Sequence, residues 1–179
     1  RNTPAVITHI AEVRTGTLSS ERLSRPVSAQ VDAGLRFLTA CNHTATHLMH
    51  AALHKFVSER AFQAGSLVSP KRLRFDFSYD SPVPAEKLHA IESWVNTQIR
   101  ANQKLKFHLN VHLEEAEKMG AMMIFGEKYG ERVRVVEVPG VSTELCGGIH
   151  VSETNDIAYF RVVSESGVAA GVRRIEAVT

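Results

Sequence analysis

The sequence predicts an α+β domain, with helices packed on a mixed or antiparallel sheet and a small β-rich appendage at the N-terminal end. Three observations carry this. Residues 42–60 and 81–103 read as helices, the first with Leu48, Ala52 and Phe56 on one stripe. Short runs alternate at the period of a strand, most clearly Phe107, Leu109, Val111 and Leu113. The two kinds of segment interleave along the chain, which suits helices laid on a sheet.

Taken in order, residues 1–38 alternate small apolar patches with Gly, Pro and polar breaks, as in AVITHIAEV and RTGTLSSERLSRPVSAQV, and predict short strands and turns. We assign 1–39 to a β-rich segment of a preceding small domain and 40–179 to the main domain. The helix over 42–60 has Asn42 or Thr44 as cap candidates and is closed by Gly65. SLVSPKRLRFDFS holds a strand in LRFDF, with Leu73, Phe75 and Phe77 on one face. Ser81 and a Pro pair open the helix over 81–103. KFHLNVHL is a strand, LEEAEKMG a short helix stopped at Gly120, and RVRVVEV, 132–138, another strand. Two last strands, 158–166 and 171–178, are joined by GVAAG.

The bulk numbers exclude some classes. The 179 residues are 44% hydrophobic and 22% charged, ordinary for a soluble globular protein, and no apolar run is long enough to span a bilayer. No basic start leads into an apolar run, so no signal peptide is expected; the missing initiator Met suggests a piece of a longer chain. Cys41 and Cys146 make no disulfide framework, which points to a reducing, cytoplasmic setting. A formal charge of +2 permits nucleic-acid contact without demanding it.

Nine histidines is a high count. His43, His47, His50 and His54 form one helical stripe, and side chains three or four apart can reach one ion. Spacing alone does not choose among His43/His47, His47/His50 and His50/His54. His108 and His112 are also four apart, but on a strand that distance is about 13 Å, too far for one ion; both are expected to face solvent. ELCGGIHV adds Cys146 and His150 across two glycines, where φ > 0 would let the chain fold back. A mixed Cys and His set suggests Zn²⁺. Zinc proteases carry a Glu within their histidine motif; here Thr44, Ala45 and Thr46 stand between the histidines, so no carboxylate works from inside it. The site is either structural or one whose ion admits water or substrate.

HTATHLMHAALHKFV, GSLVSPKRLRFDFS, FGEKYGERVRVVEV, ELCGGIHV and SESGVAAGVRRIEA, in this order, closely resemble the editing domain of alanyl-tRNA synthetases from about residue 40 to the end. The resemblance implies that His43, His47, Cys146 and His150 hold zinc, and that His50 and His54 pack or face solvent. It implies Thr46 and Gln63 as catalytic residues: Thr46 to contact a serine hydroxyl, Gln63 to orient water or the substrate carbonyl. The implied activity is hydrolysis of tRNA(Ala) mischarged with serine or glycine. A pocket sized for alanine cannot exclude glycine and rejects one added hydroxyl only weakly, so a second site must correct the error. The implied partners are the tRNA(Ala) acceptor end and the rest of a synthetase chain, whose ATP-using ligase core is not found here; no membrane partner is expected. Lys71, Arg72, Arg74, Arg173 and Arg174 are candidates for the tRNA. The alternatives are a freestanding trans-editing protein for alanine tRNA, the related editing domain of threonyl-tRNA synthetase, a small-molecule zinc hydrolase, or a structural zinc module that binds nucleic acid without hydrolysis.

Overall fold

The computed structural model describes residues 2–3, 6–7, 9–124 and 128–179. Phe125, Gly126 and Glu127 of the FGEKYG motif, and part of the expected strand segment 1–38, lie outside the described residues. The chain divides into two compact units, Arg1–Val31 and Asp32–Thr179. In the first, β1 (Asn2–Thr3) pairs antiparallel with β2 (Val6–Ile7), and one helical turn follows, α1 (Ser20–Leu23).

The division falls earlier than residue 39/40 because α2 (Ala33–Phe56) runs straight through that point. Asp32 starts it, its carboxylate accepting the Leu35 N–H at 2.8 Å, one of the N–H groups a helix leaves without an internal partner. Asn42 and Thr44 are therefore mid-helix rather than caps. Asn42 is buried, donates to Ser69 O at 3.0 Å and accepts from Thr179 Oγ1 at 3.3 Å, tying α2 to the chain's end. The helix stops at Phe56, before Gly65, and Leu53 O receives both the Val57 and Ser58 N–H groups. From Ala40 to Leu53 it is buried on nearly every side, and Ala45, Leu48, Met49, Ala52 and Leu53 are fully enclosed. Its alanines bring the neighbouring elements close.

After α2 come β3 (Gln63–Val68), β4 (Leu73–Ser78), α3 (Ala85–Arg100), β5 (Lys106–His112), α4 (Leu113–Lys118), β6 (Arg132–Val138), β7 (Ser142–Leu145), β8 (Arg161–Ala169) and β9 (Val172–Val178). They form two antiparallel sheets, β3-β4-β9-β8 and β5-β6-β7. The main core joins α2 to Phe75 and Phe77 of β4, Ile175 of β9, and Ile91, Val95 and Ile99 of α3. A smaller cluster of Ala116, Ala121, Val135 and Leu145 packs α4 on the second sheet. The α+β architecture thus stands, with both sheets antiparallel.

Some local expectations give way. β3 and β7 are strands that the sequence reading left unassigned. β5 carries a bulge between His108 and Val111, with Asn110 at φ 58°, a left-handed value that Asn tolerates. Its alternating apolar face is only half a core face: Phe107 is 39% and Leu109 68% exposed, while Val111 and the following Leu113 pack on the smaller cluster. His112 faces solvent as expected, while half-buried His108 pairs with Glu137 Oε2 at 2.8 Å. β8 starts at Arg161, later than residue 158, after a 3-10 turn, Thr154–Ile157, and Ala158 at φ 63°.

Candidate metal centre

Two pieces of backbone build the site. α2 presents its histidine stripe, and the CGGIH segment that follows β7 lies against it. One donor atom from each of His43, His47, Cys146 and His150 lies within 4.8 Å of all the others. Cys146 Sγ is 3.4 Å from His43 Nε2 and 3.3 Å from His150 Nε2. Two donors of a tetrahedral zinc, at bonds of about 2.0–2.3 Å, would sit ~3.5 Å apart across the ion. The donor set therefore fits a small tetrahedral ion, and this group could hold one.

Glycine serves the turn differently than expected. Neither Gly147 nor Gly148 has positive φ. Gly148 is needed for close approach: a Cβ there would overlap the His43 ring at Cε1 and Nδ1, whereas one at Gly147 would meet nothing within 4 Å. Arg134 of β6 clamps the turn, donating to Cys146 O at 3.0 Å and to Gly148 O at 2.6 Å. The Gly148 N–H points at Cys146 Sγ from 3.4 Å.

Electrostatics prepares the donors. Burial, then the neighbouring His47, lowers His43 to a pKa of about 4. Burial pushes His47 and His150 down as well. The imidazoles are thus neutral near pH 7, with lone pairs free for an ion. Burial pushes the Cys146 thiol up, so an ion bound there must displace its proton. Thr44 holds the His150 ring. Its Oγ1 lies 3.1 Å from His150 Nδ1 and accepts the Val151 N–H at 3.3 Å; a His150 proton on Nδ1 can be given to this oxygen, which leaves Nε2 bare toward Cys146.

The cluster opens into a cavity of about 80 Å³. One water needs roughly 10–15 Å³ by this measure, so there is room for several waters or a small aminoacyl group. Beside His43, His47 and Cys146, its walls include Thr46, Gln63 and His50. Thr46 donates to Asn42 O at 2.8 Å, the helix-backbone bond open to any mid-helix Thr, and keeps its oxygen as an acceptor. Gln63, at the start of β3, reaches Ser66 Oγ at 3.5 Å.

Two participants, Glu144 and Thr44, escaped the sequence reading, while His50 and His54 pack beside the cluster. His50 is buried in the cavity wall and bonds Ala61 O at 3.2 Å; His54 bonds the same carbonyl at 3.2 Å from a half-buried position. Glu144, on β7, lies in the cavity with Oε1 3.8 Å from His47 Nδ1 and 3.7 Å from His50 Nδ1. Burial disfavours its charge, but His47, His50 and the Ser142 hydroxyl outweigh that and hold it below the usual carboxylate range. Thr44 is the other. Its only signal was a place in HTATH, shared with Thr46.

The five cations are not alike. Arg173 grips Glu165 at 2.6 and 2.8 Å, and Arg174 grips Asp76 at 2.7 and 2.8 Å, both through two bonds. Arg74 Nε is 3.8 Å from Asp76, and Arg72 3.4 Å from Glu176. Lys71 is exposed on the turn between β3 and β4.

Comparison with known proteins decides the relationship. The family described as "Threonyl and Alanyl tRNA synthetase second additional domain" matches residues 133–176, which include Cys146 and His150. An alanine–tRNA ligase of Xanthomonas campestris is 52% identical over 171 residues, 96% of this chain and 19% of the enzyme. The chain belongs to this synthetase family. A Chlorobaculum tepidum alanine–tRNA ligase is 56% identical over 153 residues, 86% of the chain and 17% of the enzyme, and one from Methylococcus capsulatus 51% identical over 174 residues, 97% of the chain and 20% of the enzyme. The chain spans about a fifth of the length of these alanine–tRNA ligases, as a segment of such an enzyme would.

Proposed function

We propose that this chain is a hydrolytic editing domain of an alanine–tRNA ligase, acting in the cytoplasm, which cleaves serine or glycine from tRNA(Ala) at a zinc-containing site. The supporting observation is that the four-donor cluster opens into a cavity lined by Thr46 and Gln63 rather than being sealed in the core. A purely structural ion would have no use for such an opening. Zinc held by His43, His47, Cys146 and His150 supplies Lewis acidity toward a carbonyl oxygen or a water.

The chain's own groups divide the remaining work. Thr46, its proton committed to Asn42 O, accepts the hydroxyl proton of a seryl group. An alanyl group offers no such donor, which favours the seryl group over it; a glycyl group lacks the donor too, so Thr46 selects for serine alone and glycine enters by its smaller size. The Gln63 amide, at the cavity wall, orients the ester carbonyl or the attacking water. In the reaction water adds to the ester carbon, the carbon–oxygen bond to the ribose breaks, and the proton ends on the ribose oxygen. Free amino acid and uncharged tRNA leave. Lys71, Arg72, Arg74, Arg173 and Arg174 are assigned to the tRNA phosphates; the last two are held in position by Glu165 and Asp76. Binding should therefore weaken steeply with salt.

The test is deacylation of seryl-, glycyl- and alanyl-tRNA(Ala), with Cys146→Ala as control. Cleavage of the first two, sparing of the third and loss in a folded control supports the reading. A folded, metal-loaded synthetase carrying this segment that leaves seryl-tRNA(Ala) intact would overturn it.

A further inference from the structure

We infer that Glu144 is a positioning residue, whose single carboxylate orients both His47, a member of the donor cluster, and His50, which is not a member. The inference rests on the metal-centre reading above and deepens it.

The observation is a pair of orphaned atoms. His47 Nδ1 and His50 Nδ1 are both buried without a hydrogen-bond partner in the protein, and buried nitrogens are rarely left so. Both face Glu144 Oε1, at 3.8 and 3.7 Å. Those are ion-pair spacings, longer than a hydrogen bond; a small ring rotation at His47, or one bridging water at either histidine, supplies the missing bond. Glu144 is itself fixed from behind by Ser142, which donates to Oε1 at 2.7 Å.

The two histidines need the carboxylate for different reasons. For His47 to offer Nε2 to an ion, Nδ1 must carry the proton and have somewhere to give it. Glu144 is the acceptor, and outer carboxylates of this kind fix ring orientation and raise ligand basicity. His50 is pinned at its other end. Ala61 O can only accept, so Nε2 carries a proton there. A neutral ring then has Nδ1 bare, so its link to Glu144 is one bridging water that donates to both, and the ring spans from that water to the carbonyl two residues before Gln63. One acid links the donor cluster, through His47 and His50, to the segment that carries Gln63.

The experiment compares Glu144→Ala, Glu144→Gln and Glu144→Asp in the 179-residue chain. Zinc affinity is read by chelator competition, cobalt(II) spectra report ligand geometry, and imidazole nitrogen NMR reports tautomers. The expected result is a 10–100-fold loss of affinity for Ala. Gln keeps the reach and one acceptor oxygen and should bind more tightly than Asp, which keeps the charge but withdraws it by a methylene. His47 in loaded wild type should carry its proton on Nδ1. If Ala fails to fold, the order of Gln and Asp decides, since a purely electrostatic role reverses it. Wild-type affinity in all three variants, Asp above Gln, or ligation through His47 Nδ1 overturns the inference alone. A wild type that takes up no metal overturns the metal reading, and this inference with it.

Discussion

Gly148 shows how little room the site leaves. Its missing Cβ is the space the His43 ring occupies. Gly148→Ala should push that ring out of register and weaken metal binding on the order of 10–100-fold, as loss of a supporting contact does. Gly147→Ala should bind normally, because its Cβ would point into open space. Calorimetric titration of both variants checks this; equal affinities would sink it. The sequence showed a Gly-Gly pair but not which glycine was needed or why. Its suggested reason, positive φ, was the wrong one. The same limit hid Glu144. Two residues before Cys146 it reads as an ordinary strand acid, and only the fold brings His47 and His50 to it.

At the scale of elements, legibility followed burial pattern and residue type. RVRVVEV is so rich in β-branched residues that β6 matches 132–138 residue for residue. The first turns of α2 were missed because Leu35, Phe37 and Leu38 are 53%, 48% and 42% exposed and give no core stripe. β3, QAGSLV, is too polar and glycine-rich to announce a strand, yet pairs with β4, with one irregularity between Gln63 and Gly65. The pairing of β4 with β9 carries a pH signature. Asp76 accepts two bonds from Arg174, and that contact, against an opposing cost of burial, holds its carboxyl below the usual value. A lowered folded-state value means the contribution is present above about pH 4, the ordinary Asp range, and is lost as pH falls through the folded value. Asp76→Asn should therefore cost about 1.5–3 kcal/mol at pH 6 and progressively less as the pH falls below about 4. Urea melts of both proteins across that range are the check; a pH-independent difference would remove the ion pair from the explanation.

For the whole molecule the question is what the ion does for the fold. The main core, from Ala40 and Leu48 through Phe75, Phe77 and Ile175, is extensive and needs no metal donor to close it. The chain should therefore stay folded after chelation but melt earlier. Zinc at a hundred times its dissociation constant should restore about 2.7 kcal/mol. Circular dichroism melts with chelator and with zinc test this. Unfolding on chelation at room temperature would favour the structural-module reading, in which folding and metal binding are one event.

The most enclosed helix of the protein is also the one that bears the histidine stripe and Thr46. Core and donor cluster are thus a single part, and loosening in one is misalignment in the other. Misplacing reacting groups by about 1 Å can cost a hundredfold in rate. Under the proposed editing function, proofreading accuracy should decay on warming before the domain melts, so that serine would enter alanine positions while the synthetase still looked intact.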